Sequence, residues 1–330
     1  MDKKNMVGKS NCFNVIRLIA AFQVMFGHAI EHMSVDVPNI LSFFSGVPIF
    51  FALSGFLIWF SVARTENYKV FLKKRFWRIY PELWLGVLLE AIVIICLYHI
   101  KDIVEFVLFI VGQGSVLQFW TPDSLRGYGC GTPNGSLWTI CVLIQFYLLV
   151  WWIYKLLHGK SFRTWICVLC GLLLGSNLIY DFAERFLPNI LTKLYEQTVV
   201  RYLWLFILGC VFAEFFELIL TYLKKCWYLC LGIGAVFYFT GFDLQVHYDV
   251  FHSVFLFAGL LGFAYSFPKL QIQTDISYGI YIYHMTVVNA MLVCGMKYKV
   301  WYLVIAGLIS CILAFASYQI TNRIQSKWRK

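Results

Sequence analysis

Long, uninterrupted apolar runs constrain the fold of this chain more than any other feature. The length of each run is close to that of a helix that crosses a bilayer, which is about 20 residues. The apolar residues are continuous within the runs, whereas barrel strands would alternate apolar and polar side chains. We therefore predict an all-α, polytopic membrane protein, with about ten transmembrane helices around a central cavity. The predicted spans are approximately 13–33, 40–63, 80–99, 136–156, 162–179, 199–219, 226–240, 251–267, 276–294 and 301–322.

The composition supports this class. Of the 330 residues, 61% are hydrophobic and 13% are charged, whereas a soluble domain is about half apolar and about a quarter charged. Such sparse charge cannot cover a soluble surface, and a disordered chain would need the opposite bias. Besides about ten spans the chain has no room for a sizeable soluble domain, and no linker or internal repeat divides it. We predict a single membrane-embedded domain over residues 1–330.

Basic residues predict the orientation. The net charge is +10, and most of the 27 lysines and arginines lie between the apolar runs, which is typical of orientation signals rather than of a nucleic-acid surface. With the N-terminus inside, the inner loops carry 19 of them, Arg17 lies within a span, and the outer loops carry seven: Lys101, Arg126, Arg185, Lys193, Arg201, Lys297 and Lys299. We expect both termini to be cytoplasmic, in a cell membrane such as the bacterial inner membrane.

The eleven cysteines follow no framework spacing, and most of them lie inside apolar stretches. Buried cysteine behaves as a small hydrophobic residue. We therefore predict neither a disulfide nor a metal site, and no permanently bound cofactor.

Two short segments separate the predicted third and fourth spans. Residues 102–111 are apolar but too short to cross, so we predict a helix at the membrane interface. Residues 126–135, RGYGCGTPNG, have turn chemistry and predict a loop.

The first predicted span contains Arg17 and His28, which are costly in a membrane and therefore candidates for function. Eleven residues bring them back to one helix face, about 16 Å apart along the axis. Arg17 lies toward the cytoplasm and His28 toward the outer half. The alternatives are that Arg17 snorkels to the inner headgroups and that His28 is a packed histidine bonded to a carbonyl.

The segment YKVFLKKRFWRIYPELW, between the second and third spans, is rich in basic side chains. Arg75 and Arg78 share a face if this loop becomes helical. Guanidinium groups bind phosphate oxygens bidentately, and Lys73 and Lys74 add positive charge. We expect Pro81 to begin the next span. Positive-inside anchoring explains the same residues and is favoured by composition alone.

Other polar or small residues interrupt the apolar runs. Ser54 and Gly55 form a small pair that lets a helix or a ligand come close. Ser136 is a plausible N-cap for the fourth span. Gln145 and His284 are predicted to lie within spans, where interhelical hydrogen bonding is an alternative to a functional role.

Taken in order, these segments resemble one family over nearly the whole chain, the acyltransferase 3 family of membrane-bound O-acyltransferases. The resemblance rests on FNVIRLIAAFQVMFGHA, with Arg17 and His28 at R-x10-H spacing, and on FFALSGFLI. It continues with KKRFWRIYP, which carries the Arg75/Arg78 pair, with GSLWTICVLIQFYLL, and with the late SYGIYIYH.

The resemblance implies a ten-helix core that takes acyl groups, usually acetyl, from cytoplasmic acyl-CoA and transfers them to acceptors such as cell-surface glycans. Acetyl-CoA would be a donor substrate, and the acceptor an extracytoplasmic glycan or glycolipid. The family pattern gives His28 the catalytic role and places Arg17, Arg75 and Arg78 in donor binding. The full candidate set is His28 and Glu31 as catalytic residues, Arg17, Arg75, Arg78, Lys74 and Ser54 for the donor, and Trp138, Gln145, Tyr147 and His284 for the acceptor.

Two positions depart from the family pattern. Asn14 stands where the family often has Asp, and Leu143 stands where the pattern SLW-x3-V-E supplies a buried glutamate. Glu31, three residues after His28, could orient the imidazole, or it could lie at a wet helix end.

These departures keep other functions open. A catalytically inactive relative would keep the fold without the reaction. A transporter or flippase for lipid-linked saccharides would use intramembrane charges equally well, although neither inverted repeats nor paired broken helices are visible. A purely structural membrane subunit would have little reason to keep Arg17 and His28 on one face.

Overall fold

The computed structural model describes residues 10–244 and 248–328, the last five of these as backbone only. Lys3, Lys4, Lys9, Arg329 and Lys330, which entered the orientation count, lie outside the described residues. The described part of the chain is all-helical, without strands. Its α-helices are α1 Phe13–His32, α2 Gly46–Ala63, α3 Tyr68–Leu97, α4 Ile103–Gln113, α5 Trp138–Leu157, α6 Phe162–Phe186, α7 Asn189–Tyr195, α8 Val199–Glu214, α9 Phe216–Thr240, α10 Val250–Ser266, α11 Ser277–Val293 and α12 Val300–Trp328.

The prediction of an all-α polytopic membrane protein is confirmed. Within the described ranges, eight helical segments are long and apolar enough to cross a membrane. α10 and α11, each 17 residues long, match the two remaining predicted spans. The segment predicted to lie at the interface forms α4, and residues 126–134 form a loop as expected. The central cavity and the single domain remain predictions.

The surface of α6 shows why these helices need an apolar solvent. Leu174, Leu178, Phe182 and Phe186 recur every fourth residue and are 66%, 68%, 56% and 71% exposed. Such a spacing places them along one stripe of the helix. A large exposed apolar stripe on a soluble monomer would be an aggregation hazard, whereas lipid tails solvate it.

The segment before the third span was wrongly predicted to be a loop, and Pro81 does not begin the helix. α3 starts at Tyr68, so Pro81 lies inside it. The start is fixed by Asn67, whose side-chain oxygen accepts a hydrogen bond from the Lys69 amide at 2.8 Å. Because this Asn satisfies an otherwise unpaired helix N–H, the helix can begin a dozen residues earlier than hydropathy suggests.

Other boundaries also differ from the prediction. α6 continues to Phe186 rather than ending at residue 179, and α9 begins at Phe216 rather than at residue 226. α2 begins at Gly46 rather than at residue 40. The sixth span ends at Glu214, because Phe215 leaves helical geometry (φ −101°, ψ 23°) before α9 begins. Ser136 is not an N-cap: it lies in a 3-10 turn, Gly135–Leu137, and its hydroxyl donates to the side chain of Asn134 at 2.8 Å.

The described residues form two compact units of interleaved segments. The first unit comprises 10–17, 43–72, 142–244 and 248–273. Within it, α2 and α8 approach closely at two glycines. A Cβ at Gly55 would overlap the Phe206 carbonyl oxygen, and a Cβ at Gly209 would overlap the Ala52 carbonyl oxygen. Reciprocal glycines of this kind allow backbone-to-backbone packing in membranes.

The second unit comprises 18–42, 73–141 and 274–328. Within it α3 and α11 run side by side. A Cβ at Gly279 would lie 2.8 Å from the Glu82 carboxyl oxygen, and one at Gly86 would overlap the Ile282 side chain. Because contacts on both helices advance together along the chain, α3 and α11 point in the same direction, and we call this alignment the α3–α11 register.

Candidate active site

The second unit brings two histidines into direct contact. His28 of α1 and His284 of α11 are 256 residues apart in sequence, yet His28 Nδ1 lies 2.9 Å from His284 Nε2. Their ring centroids are 5.2 Å apart and the planes differ by 15°. His284 is fully buried, and its Nδ1 lies 3.1 Å from the Ile280 carbonyl oxygen. His28 is half-buried, and its Nε2 has no hydrogen-bond partner among the described residues.

The turn that precedes α5 fastens α11 on the N-terminal side of His284. The Asn134 side-chain amide donates to the Ile282 carbonyl at 2.9 Å. The Ser136 hydroxyl lies 3.3 Å from the Tyr281 carbonyl, and the Tyr281 hydroxyl donates in turn to the Ser136 carbonyl at 2.8 Å. These buried bonds flank His284 by two and three residues, so they restrict where its ring can lie.

Asn289 fastens the same loop to α11 on the other side of His284. Its side-chain oxygen accepts from the Cys130 amide at 2.8 Å, and its amide donates to the carbonyls of Thr132 and Pro133 at 3.0 and 2.7 Å. Gly129 has φ +56°, and a Cβ there would overlap the Asn289 side-chain oxygen. The residues predicted to form a loop are therefore hydrogen-bonded to α11, the helix that carries His284.

The same loop contains a buried tyrosine. Tyr128 is fully buried, and its ring contacts Tyr98 edge-to-face at 5.7 Å. Burial, followed by the nearby Glu90 carboxyl, raises the pKa of the Tyr128 hydroxyl. Its side chain is thus a neutral phenol at physiological pH and fills the core of this unit with Leu125 and Ile94.

The predicted donor-binding cations of α3 lie within its first three turns. Arg78 and Lys74 are exposed, and Arg75 is half-buried. The structure places Arg75 and Arg78 three residues apart on a continuous helix, so they share a face as expected. One residue after Arg78, the Ile79 carbonyl accepts a hydrogen bond at 3.2 Å from the Tyr278 hydroxyl at the start of α11.

Arg17 belongs to the first unit and is half-buried. Its guanidinium lies 3.4 Å from the side-chain oxygen of Asn14, the residue that replaces the usual family aspartate. The Asn14 amide donates to the Ile272 carbonyl at 2.7 Å. An amide in place of a carboxylate keeps a hydrogen-bond acceptor beside Arg17 and removes a negative charge.

Other predicted site residues lie on α2 and α5. Ser54 is half-buried beside Gly55, and Trp138 is the first residue of α5. Tyr147 is buried. Gln145 is bonded to the backbone where α8 begins: its side-chain oxygen accepts from the Val199 amide and its nitrogen donates to the Gln197 carbonyl, both at 2.9 Å. The interhelical bonding considered for Gln145 is therefore present.

Glu31, predicted to accompany His28, is exposed at the end of α1. The described structure gives the His28 ring a hydrogen bond to His284 and none to Glu31.

With this geometry in place, comparison with known proteins gives the family. A family model described as "Acyltransferase domain" (Acyl_transf_3) matches residues 10–319. The chain belongs to the acyltransferase 3 family. It is 25% identical to "Nodulation protein 10" of Rhizobium leguminosarum bv. viciae, over 98% of this chain and 95% of that protein. It is 26% identical to "O-acetyl transferase" of Shigella phage Sf6, over 83% of this chain and 84% of that protein. No solved structure matches the chain.

Family membership agrees with the resemblance read from the motifs, and it identifies a membrane acyltransferase. Sequence reasoning named both histidines of the pair but assigned them separate roles. It missed Asn289, Asn134 and the Ile280 carbonyl altogether. The sequence did contain a signal for Asn289, because an amide side chain within a predicted apolar span needs a hydrogen-bond partner.

Proposed function

We propose that this acyltransferase moves an acyl group, with acetyl as the expected one, from cytoplasmic acyl-CoA to a hydroxyl of an extracytoplasmic glycan or glycolipid. Family membership and the O-acetyl transferase relative support the reaction class. One observation carries the assignment of His28 as the general base. Among the residues that the structure describes, this histidine of the R-x10-H motif is bonded at one ring nitrogen only, which leaves the other available to a substrate.

The basic first turns of α3 are the proposed donor-binding surface. Coenzyme A carries three phosphates, and the Arg75/Arg78 pair can form charge-assisted bonds to their oxygens. Lys74, exposed on the same segment, adds positive charge. Arg17, which belongs to the first unit, is also proposed to contact the donor.

In the proposed reaction His28 accepts one proton and then gives it up. The unprotonated nitrogen of the ring removes the proton of the acceptor hydroxyl as its oxygen attacks the thioester carbonyl. The new O–C bond forms, the C–S bond breaks, and the departing thiolate receives the proton from the imidazolium to leave as CoA thiol. Histidine suits both steps because its unperturbed pKa is close to neutral pH. Holding the two substrates against one ring supplies much of the acceleration.

Membrane orientation supports a donor entering from inside. With both termini cytoplasmic, as the loop charges predict, the first turns of α3 face the cytoplasm. A cysteine introduced at Lys73 would then react with an impermeant maleimide in inverted vesicles. Reaction in intact cells, relative to the same chain with the native Lys, would contradict this orientation.

The test of the proposal is acyl transfer by purified protein. The protein in lipid nanodiscs should release CoA thiol from acetyl-CoA, and radiolabelled acetyl should appear on an added glycoside. Mass spectrometry of surface glycans from cells with and without the gene should show an acetyl group that depends on the gene. Protein that neither releases CoA nor changes glycan acetylation would contradict the proposal and favour a transporter or an inactive relative.

A further inference from the structure

The hydrogen bonds around His284 define which of its nitrogens carries a proton. A carbonyl oxygen can only accept, so His284 Nδ1, at 3.1 Å from the Ile280 oxygen, has to donate. A neutral imidazole carries a single N–H. His284 Nε2 is therefore the acceptor side of the ring.

The proton position on His284 determines the proton position on the His28 ring. His284 Nε2 faces His28 Nδ1 at 2.9 Å and can only accept, so His28 Nδ1 has to donate. A neutral His28 with its proton on Nδ1 has its lone pair on Nε2. That is the nitrogen for which the described chain supplies no partner, and it is the one a base needs.

We infer that His284 is a positioning residue, which, anchored on the Ile280 carbonyl, holds His28 in the tautomer whose Nε2 is the base. This inference rests on the proposed function for its catalytic meaning, while the tautomer itself does not. The arrangement uses a second imidazole where a carboxylate would more often orient a catalytic histidine.

The His28–His284 hydrogen bond also stabilises His28 after it has gained a proton. When Nε2 accepts the proton of the acceptor hydroxyl, the Nδ1–H of the imidazolium still donates to His284 and the bond becomes charge-assisted. The titratable groups that face the pair are His32 and Glu31 of α1 and Tyr281 of α11, whose ring is 5.9 Å from that of His284. Of the described residues around His28, His284 is the one that bonds to its ring.

The position of His284 is built to be rigid. Its ring is fully buried, and the Asn134–Ile282 and Asn289–Cys130 bonds hold α11 on either side. A ring fixed in this way restricts the angle as well as the tautomer of His28. Because this positioning acts through His28, loss of His284 should affect turnover rather than substrate binding.

Nitrogen NMR tests the tautomer without any activity. Protein labelled with ¹⁵N-histidine in lipid at neutral pH should show His28 protonated at Nδ1 and unprotonated at Nε2, with the signals assigned from their loss in His28→Gln. In His284→Leu the His28 signals should shift to a mixture of tautomers. A His28 that carries its proton on Nε2 in the unmodified protein would overturn the inference, whatever the enzyme does.

Kinetics test the positioning role. In His284→Leu we expect kcat for CoA release to fall by about 10- to 100-fold with the acetyl-CoA KM unchanged. The acid limb of the pH profile should move to lower pH, because the imidazolium loses its acceptor. His284→Gln, which keeps an acceptor oxygen, should recover part of the rate. His252→Gln, a change of a buried histidine of the first unit, should keep the profile.

The outcomes separate the two ideas. A lower rate at every pH with an unchanged profile would make His284 structural and overturn the positioning role while leaving the proposed function intact. No CoA release by the unmodified protein would contradict the proposed function, and the NMR result would still decide the tautomer. Size-exclusion profiles and tryptophan fluorescence of each variant establish that it has folded.

Discussion

Each of the two units contains a buried histidine, and they differ in what their nitrogens can still do. In the first unit His252, 1% exposed, has Nδ1 3.0 Å from the Gly234 carbonyl and Nε2 2.9 Å from the Phe43 carbonyl. Both nitrogens face backbone carbonyl oxygens, so neither is open to a substrate. In the second unit, His28 Nε2 has no hydrogen-bond partner within residues 10–244 and 248–328. Burial of a histidine is therefore common to both sites, and an unused bonding position distinguishes the candidate base.

The largest effect should come from His28. We expect His28→Gln to lower acyl transfer by about 10²- to 10⁴-fold, because general-base catalysis contributes that much. The matched control is His252→Gln, which should keep its turnover per folded molecule. CoA release from acetyl-CoA by purified protein measures both. Equal losses in the two variants would remove the distinction between the two histidines.

The second-largest effect should be on donor binding. With both Arg75 and Arg78 changed to alanine, we expect the KM for acetyl-CoA to rise by about 10- to 100-fold with a smaller change in kcat, because charge-assisted bonds to phosphate are lost. Lys69→Ala on the same helix is the charge control. A donor dependence that stays unchanged would instead assign the arginines to membrane anchoring.

His252 should affect stability. His252→Leu removes the buried hydrogen bond that the imidazole N–H donates to a backbone carbonyl, so we expect the free energy of unfolding to fall by about 1–3 kcal/mol. The measurement is the midpoint of thermal unfolding in detergent, beside His32→Leu as a half-buried histidine control. An unaltered midpoint would mean that hydrogen bonding of the His252 ring contributes little to the stability of the first unit.

The smallest effect should come from Thr286, two residues beyond His284. Its buried hydroxyl has no hydrogen-bond partner in the described chain. Thr286→Val keeps the shape and removes that hydroxyl, so we expect unchanged activity and a gain in stability of up to about 1 kcal/mol. Thermal unfolding and CoA release are the readouts. A loss of activity would show that open bonding positions in the second unit extend beyond His28.

Hydropathy predicted the membrane helices well where a span begins and ends at an apolar run. The first span, predicted as 13–33, is α1 at Phe13–His32. It failed at α3, because the basic segment after Asn67 is helical in spite of its polarity and Pro81 is tolerated inside. Side-chain capping and continuation of a helix beyond the membrane do not register as hydropathy.

The motif identified His28 as the catalytic candidate but could not show that His284 is its hydrogen-bond partner. The spacing of residues along α1 constrains one helix face, whereas the His28–His284 contact joins positions 256 residues apart. Only packing of α1 against α11 decides which partner the ring receives, and Glu31, the closer residue in sequence, is exposed. The Ile280 carbonyl is beyond any motif, since every residue carries one.

The α3–α11 register gives the axial distance between His284 and the proposed donor-binding arginines of α3. The Glu82–Gly279 and Gly86–Ile282 contacts set His284 level with about residue 87 of α3. At 1.5 Å per residue, Arg78 lies about 14 Å and Arg75 about 18 Å short of that level along the axis. A donor gripped by its phosphates at the arginines has to bridge this interval with a flexible arm. Short acetyl thioesters without phosphates should therefore react poorly, at a rate indifferent to either arginine.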